Sequence, residues 1–252
     1  MAHQGADLHY YENAVWPTGV HDNRVPAEHV EEVSRQIRDE LNKGWLRDVT
    51  QSVRTGAVAN APLQVAVEPS KVRRITDYSH VQGGERTGVN ALVDMQSLGE
   101  APMHRSRDLA RAIWSLSPPG GEPPLLLVRD VSKAFRRIAV KQSHVPSLRT
   151  VWQGRVYEDM RLPFGHAASA HLCCKLTRAV ADAVTNEFPG KAKVLAYVDD
   201  FVLVARPEVA EDVREVFEQC MAEVGLPMSQ AKPSEAGDWS VTATWIGFVH
   251  DA

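Results

Sequence analysis

The first half of the chain changes between helical and strand-like spacing of its apolar residues. From Val30 to Leu41 they recur every three or four positions, which predicts a helix that begins near Pro26. Residues 56–76 alternate in places between apolar and polar side chains, which predicts two short strands joined at 68–71. Residues 1–25 have no clear period, so we expect an irregular N-terminal arm.

The rest of the chain mixes helices with strands. The pattern predicts a helix capped by Ser106, a buried strand at 125–128, a helix after Leu162-Pro163-Phe164-Gly165, strands at 194–198 and 201–204, a helix from Pro207 to Gly225, and a final hairpin around Trp245. This order favours an α+β fold with an antiparallel sheet backed by helices.

Composition indicates an ordinary globular protein. Of the 252 residues, 44% are apolar and 24% charged. No apolar run approaches the roughly 18 residues of a membrane span. The N-terminus lacks the basic and apolar regions of a secretory signal. The three cysteines offer no zinc-site spacing. We therefore expect an intracellular, cytoplasmic or nuclear protein that is not secreted and does not bind membranes.

Charge is unevenly distributed along the chain. The net charge of −4 argues against a simple basic protein that coats nucleic acid. Residues 129–155, however, hold seven Lys and Arg residues and one acid. A basic face on a mildly acidic protein can still bind a polyanion, so net charge does not decide the question.

Three carboxylates stand at the ends of apolar strands. Asp199 and Asp200 lie between two strands, and on its own such a pair is more often turn chemistry. Asp130 ends another strand, and the acids converge if the two strands are neighbours. Their mutual repulsion would be offset by a cation. Hard oxygen ligands suit Mg²⁺, and two such ions can promote phosphoryl transfer.

Six segments of the chain carry a family resemblance. In the family's order they resemble motifs of the reverse transcriptases of retroelements, of the LTR- or tyrosine-recombinase-type retrotransposons, whose middle palm motif reads Leu-Pro-Phe-Gly. The segments are 71–78, 128–135, 162–165, 197–200, 225–232 and 245–248. Each motif alone is weak, but six in order, with Asp199 69 positions after Asp130, are specific together.

The resemblance implies a fingers-palm polymerase fold. The palm would be an antiparallel sheet backed by helices, with a ferredoxin-like core. Residues 26–122 would form the fingers region, and 123–252 the palm with a fingers insertion at about 136–160. The chain stops at Ala252, shortly after the hairpin that resembles the primer grip. We therefore expect no thumb, with the missing thumb and RNase H segments encoded in a longer polyprotein.

The resemblance also assigns the catalytic residues. Asp130 and Asp199 would bind two Mg²⁺ ions, with Asp200 beside them and the Val131 carbonyl completing one shell; Mn²⁺ could substitute. Lys232 would donate a proton to the leaving pyrophosphate, although the residue alone is equally typical of an exposed loop lysine.

Nucleotide and primer contacts follow in the same way. Lys71, Arg73, Phe135, Phe164 and Gly165 would bind the incoming dNTP, with Phe135 excluding a 2′-hydroxyl. Without the motif, Arg73 and Lys71 would indicate a solvated basic strand, and Phe135 would be equally typical of ordinary core packing. The primer-grip residues would be Trp245, Ile246 and Gly247, of which a tryptophan near a chain end is more often a core residue.

After Gly165 the chain departs from the family pattern. The family commonly has a small residue, Ala and Pro, and then an aromatic, whereas this chain reads His166-Ala167-Ala168. His166 and His171 do not have the spacing of metal ligands on one helix face, so we interpret both as structural.

The sequence thus predicts an RNA-directed DNA polymerase domain that acts on an RNA or DNA template with a primer and on dNTPs. The alternative is a catalytically inactive retroelement remnant that retains the fold and nucleic-acid binding. An RNA-dependent RNA polymerase is disfavoured by Phe135 and by Tyr197-Val198 before the acids.

Overall fold

The chain divides into two compact units. The computed structural model describes residues 5–17, 22–53, 61–69, 71–81, 88–229 and 238–252. Unit 1 consists of Met1–Glu100 and Phe135–Ser169, and unit 2 of Ala101–Ala134 and Ala170–Ala252. Each unit is therefore built from two separate stretches of sequence.

Helices and antiparallel strands alternate along the described chain. The helices are α1 (Val30–Asn42), α2 (Met95–Leu98), α3 (Ser106–Leu116), α4 (Ala167–Glu187) and α5 (Ala210–Glu223). The strands are β1 (Leu46–Asp48), β2 (Leu63–Glu68), β3 (Lys71–Thr76), β4 (Leu125–Asp130), β5 (Arg149–Trp152), β6 (Arg155–Asp159), β7 (Ala192–Tyr197), β8 (Asp200–Ala205), β9 (Thr242–Trp245) and β10 (Phe248–Asp251). None of the helices in these described ranges has the length and apolar character needed to cross a membrane.

Unit 1 packs helix α1 against two small sheets. Strands β1, β6 and β5 form one antiparallel sheet, and β2 and β3 form a hairpin. Val33 and Ile37, one turn apart on α1, are buried in a cluster with Leu63, Trp152 and Tyr157. The helical spacing of apolar residues therefore gives α1 one buried face.

A buried ionic network joins distant parts of unit 1. Arg136 donates from Nη1 to Asp159 Oδ1 at 2.5 Å and from Nη2 to Glu40 Oε2 at 2.7 Å. Arg74 donates to the same Glu40 oxygen at 2.6 Å. All four side chains are at least four-fifths buried. Two positive and two negative groups balance each other, which is the condition for charges to be tolerated away from water.

Unit 2 is organised around the antiparallel sheet β4-β8-β7, with β8 in the centre. Helix α3 contributes Leu109 and Leu116 to a core cluster that also contains Leu126, Val202 and the terminal Trp245. Helix α5 packs with its Phe217 ring 5.0 Å from the ring of Phe201, centroid to centroid. The sheet with flanking helices that the order of elements predicted is present in this unit.

Several local features differ from the sequence predictions. Ser106 does not cap α3: the N-cap is Arg105, whose N–H donates to Asp108 Oδ2 at 2.9 Å, and Ser106 is the first helical residue. Strands β1, β5 and β6 were not predicted, because they are short and carry polar residues at half or more of their positions. The first stretch of unit 1 ends at Glu100, and α3 packs against the strands of unit 2. The division into fingers and palm at 122 stays a prediction.

Candidate active site

Three carboxylates meet at one end of the unit 2 sheet. Asp130 is the last residue of β4 and Asp200 the first of β8, and the two are register partners across the antiparallel pair. Asp199 occupies the turn before β8, and its carbonyl accepts a hydrogen bond from the Val131 N–H at 3.0 Å. Strands β4 and β8 are neighbours in the sheet. The sequence predicted that the three acids would converge on this condition.

The turn that carries Asp199 has a constrained backbone. Val198 has φ +55°, a left-handed conformation that is uncommon for a β-branched residue. Cys173, from α4, lies beneath the turn with its Sγ 3.9 Å from the Val198 carbonyl oxygen. Burial raises the pKa of the Cys173 thiol to about 12, so it remains protonated and uncharged near the acids.

The carboxylates repel one another. Burial, followed by the charges of Asp199 and Asp130, raises the pKa of Asp200 to about 6. A raised pKa means that the surroundings do not fully compensate the ionised form of Asp200. Negative charge in excess at this point is what a divalent cation would neutralise.

Ser229 is a neighbour of Asp130 that sequence reasoning missed. Its Oγ donates to Asp130 Oδ2 at 2.6 Å, and its backbone N–H donates to the Asp130 carbonyl at 2.8 Å. The adjacent Met228 forms an antiparallel bridge with Val131. No periodic signal marks this segment, because the bridge involves a single residue of each chain stretch. Its only sequence signal is its place in the segment 225–232.

The donor set fits a cation whose shell is completed by a substrate. Within the described ranges, no three His, Cys, Asp or Glu side chains are arranged to hold a metal ion by themselves. Mg²⁺ at phosphate-transfer sites is commonly held by one or two carboxylates together with substrate phosphates and water. Hard carboxylate oxygens with uncompensated charge satisfy the protein's part of that requirement.

A second cluster, in unit 1, contains the predicted nucleotide residues. The guanidinium carbon of Arg73 lies 6.0 Å from the centre of the Phe164 ring, within cation–π range. The Phe164 and Phe135 rings are 5.2 Å apart, centroid to centroid. Lys71 and Arg73 lie two positions apart on β3, and both form ion pairs with Glu68, at 3.5 and 2.8 Å. The structure thus brings three of the predicted residues together.

Gly165 lies where no side chain fits. It has φ +98°, and a Cβ at this position would be 2.0 Å from the Thr76 carbonyl oxygen at the end of β3. Phe164 accepts a hydrogen bond from the Thr76 N–H at 3.4 Å. The turn therefore packs backbone to backbone against β3, an approach that only glycine allows.

The predicted primer-grip residues differ in exposure. Trp245 is only 1% exposed and lies in the core cluster of unit 2, so its ring is not on the surface. Ile246 and Gly247 form the turn between β9 and β10, with φ +44° and +82°. Phe248, the next residue, is 59% exposed. The predicted proton donor Lys232 lies outside the described residues.

Comparison with known proteins identifies the family. The family model for reverse transcriptase (RNA-dependent DNA polymerase) matches residues 85–250, about two thirds of the chain. The chain belongs to the reverse transcriptase family. The family resemblance predicted from the sequence motifs is thereby confirmed. Among curated protein sequences, none matches the chain.

Solved structures of foamy viral protease-reverse transcriptases share the fold. The foamy viral protease-reverse transcriptase dRH in complex with double-stranded DNA has a TM-score of 0.70 at 20% identity, over 98% of this chain and 38% of that one. The foamy viral protease-reverse transcriptase in complex with an RNA/DNA hybrid gives 0.67 at 21% identity, over 98% of this chain and 29% of that one. The chain therefore spans less than half the length of these structures.

The likeness confirms the predicted fold class. The chain has the α+β fingers-palm fold of reverse transcriptases. The three carboxylates of unit 2 come from the segments that resemble the family's palm motifs, 128–135 and 197–200. The Arg73 cluster of unit 1 comes from the segments that resemble the fingers strand and the Leu-Pro-Phe-Gly motif.

Proposed function

We propose that this chain is the fingers-palm part of an RNA-directed DNA polymerase. It would transfer nucleotides from dNTPs to the 3′ end of a primer on an RNA or DNA template. The observation that carries the proposal is the pairing of Asp130 with Asp200, beside Asp199, in a chain of the reverse transcriptase family. Such a site has the oxygen ligands and the negative charge for metal-assisted phosphoryl transfer.

The carboxylates would hold the metal ions. Mg²⁺, or Mn²⁺ in its place, would activate the primer hydroxyl and stabilise charge on the leaving oxygen when bound. Asp130, Asp199 and Asp200 would supply carboxylate ligands, and the Val131 carbonyl would add a neutral one. Ser229 supports the role of Asp130 because it fixes one carboxylate oxygen by a 2.6 Å hydrogen bond.

The Arg73 cluster would bind the nucleotide. Arg73 and Lys71 provide positive charge for a triphosphate, and a guanidinium can donate two parallel hydrogen bonds to phosphate oxygens. Phe135 and Phe164 offer adjoining, partly exposed rings against which a sugar can pack. Gly165 would allow the backbone to approach the base pair closely.

The remaining predicted roles concern the primer and the leaving group. Trp245 would act as a core anchor of the β9–β10 hairpin, and the turn at Ile246 and Gly247 would meet the primer. Lys232 would protonate pyrophosphate. Three free cysteines suit a reducing compartment, such as the cytoplasm or the nucleus.

Primer extension on an RNA template tests the proposal. The wild-type chain should extend a DNA primer with Mg²⁺ or Mn²⁺, and Asp199→Asn should lower the rate by orders of magnitude while the fold is retained. Asp212→Asn, which removes an exposed carboxylate from α5, is the matched control and should extend at the wild-type rate. Equal extension by wild type and Asp199→Asn would contradict the metal assignment. A folded wild type that extends no primer would favour the inactive remnant.

A further inference from the structure

The turn at Gly165 is held by a side chain from a distant segment. Asn90 donates from Nδ2 to the Gly165 carbonyl at 2.8 Å, and its Oδ1 accepts from the Ala167 N–H at 2.8 Å. The same Nδ2 donates to Ser79 Oγ at 2.8 Å. Asn90 therefore bonds on both sides of His166, which leaves the orientation of the histidine ring to be fixed by other contacts.

His166 is fixed by hydrogen bonds at both ring nitrogens. It is 4% exposed, and its Nδ1 accepts from the Ala168 N–H at 3.2 Å, in the first turn of α4. Nε2 must then carry the proton, which it donates to Tyr10 Oη at 2.9 Å. Burial lowers the pKa of His166 to about 4, so the ring is neutral, in agreement with this assignment.

Tyr10 completes one consistent direction of donation. Because its Oη accepts from His166, its own proton goes to Ser147 Oγ, at 2.7 Å. Ser147 in turn donates to the His144 carbonyl at 2.6 Å. Each hydrogen-bond donor in the series from His166 through Tyr10 to Ser147 therefore has one acceptor. The Tyr10 and Tyr78 rings also meet the imidazole edge-on, with centroids 5.8 and 5.4 Å from it.

The segment around Tyr10 is attached to unit 1 through its backbone. The Ala6 N–H donates to the Ala139 carbonyl at 2.7 Å, and the Asp94 N–H donates to the His9 carbonyl at 2.7 Å. Gly5 fits closely, since a Cβ there would be 2.5 Å from the Val140 carbonyl carbon. Residues 5–11 thus occupy a defined place, although they form no helix or strand of their own.

We propose that Tyr10 is a positioning residue for the turn at Gly165. It holds His166, and through it the first turn of α4, so that the backbone at Phe164 and Gly165 keeps the geometry that binds a nucleotide. Residues 5–10 are in this way a working part of the nucleotide-binding half of the protein. The inference rests on the proposed function, which assigns the dNTP to Phe164 and Gly165.

Removal of one oxygen tests the proposal. Tyr10→Phe retains the ring but leaves the buried His166 donor without its acceptor, a loss that corresponds to several-fold in an equilibrium constant. In primer extension, the variant should show a dNTP KM raised about threefold to tenfold, with kcat changed less than about twofold. Tyr11→Phe, which removes the hydroxyl of a 52% exposed neighbour, is the control and should retain both constants.

Amide hydrogen exchange gives a readout that needs no activity. In the peptide 164–169, exchange should be faster in Tyr10→Phe than in wild type and unchanged in Tyr11→Phe. Unchanged exchange, an unchanged dNTP KM, or a fall in kcat that parallels a general loss of stability would each overturn the role of Tyr10. If the wild type extends no primer while exchange responds as expected, the proposed function fails and the hydrogen-bonded connection from Tyr10 to the turn stands.

Discussion

Asp130 and Asp200 are directly opposite each other across strands β4 and β8. Like charges at opposed positions of a strand pair destabilise a sheet. A folded chain that keeps them at this point accepts a cost in stability. Burial, and then the charges of Asp199 and Asp130, raise the pKa of Asp200, so this cost lies in its ionised form.

The first prediction concerns the pH dependence of this cost. The pKa of Asp200 is about 6 in the folded chain, above its ordinary value of 3.8, so the folded state binds the proton more tightly than the unfolded state. Stability therefore falls as pH rises from about 4 to about 6. Because Asp200 is partly exposed, solvent screening reduces the cost at pH 7.5 to about 1 kcal/mol.

Asp200→Asn should remove that cost. In urea unfolding at pH 7.5 the variant should be more stable than wild type by about 1 kcal/mol, with no advantage at pH 4. Asp212→Asn serves again as the control and should not change the slope between these pH values. The same pH slope in Asp200→Asn and wild type would show that the acids at this end of the sheet do not repel each other.

Two glycines allow a matched test of the turn at Gly165. Gly165 and Gly154 both have positive φ, but a Cβ at Gly154 meets no atom of the described residues within 4 Å. Gly154→Ala should cost about 1–2 kcal/mol of unfolding free energy, from backbone strain alone. Gly165→Ala should cost clearly more, since it also forces the turn away from the Thr76 carbonyl. Similar costs in urea unfolding would show that the turn can move off β3 freely.

Sugar selection should depend on Phe135. Phe135→Ala removes a partly exposed ring that packs on Phe164, and it should raise the ratio of ribonucleotide to deoxyribonucleotide incorporation about tenfold or more. Competition between the two nucleotide types in primer extension measures this ratio. Phe188→Ala, just after the end of α4, is the control and should leave it unchanged. An unchanged ratio in Phe135→Ala would return that ring to ordinary packing.

The buried network of unit 1 should be far more sensitive than surface ion pairs. Arg136→Met leaves Asp159 and Glu40 with too little positive charge, and we expect a loss of about 3–5 kcal/mol in urea unfolding. Arg38→Met removes an exposed pair with Glu31 and should cost less than about 1 kcal/mol.

A double variant separates charge from packing in this network. Arg136→Met combined with Asp159→Leu restores the charge balance, because Arg74 and Glu40 remain paired at 2.6 Å. It should recover part of the stability that Arg136→Met loses. A double variant less stable than Arg136→Met would indicate that shape, rather than charge balance, makes the network necessary.

Much of the fold follows from the sequence, because the signals for these elements lie within short stretches of neighbouring residues. The helix at Val30 and the strands around Asp199 are set by apolar spacing, which acts over neighbouring residues and can be read directly. The convergence of Asp130 with Asp200 required one further condition, that β4 and β8 pair. Both β4 and β8 are strongly apolar, which favours their pairing inside a sheet that is covered by helices.

What could not be predicted depends on contacts between distant segments. Nothing in residues 1–25 indicates that Tyr10 bonds to His166, since that bond joins positions 156 residues apart. Ser229 was missed for a similar reason, because its bond to Asp130 spans 99 residues. His166 was interpreted as structural, and only its hydrogen bonds connect it to the turn at Gly165.

The ion pair between Glu40 and Arg136 has a consequence for the order in which the protein is made. Its partners are 96 residues apart, and the stretch 101–134 between them belongs to the other unit. During synthesis, the charges of Glu40 and Arg74 therefore stay unburied until the stretch that contains Arg136 has left the ribosome. A gene cut at residue 100 would yield a fragment with half of this network exposed, so the two units are not interchangeable cassettes that can be cloned apart.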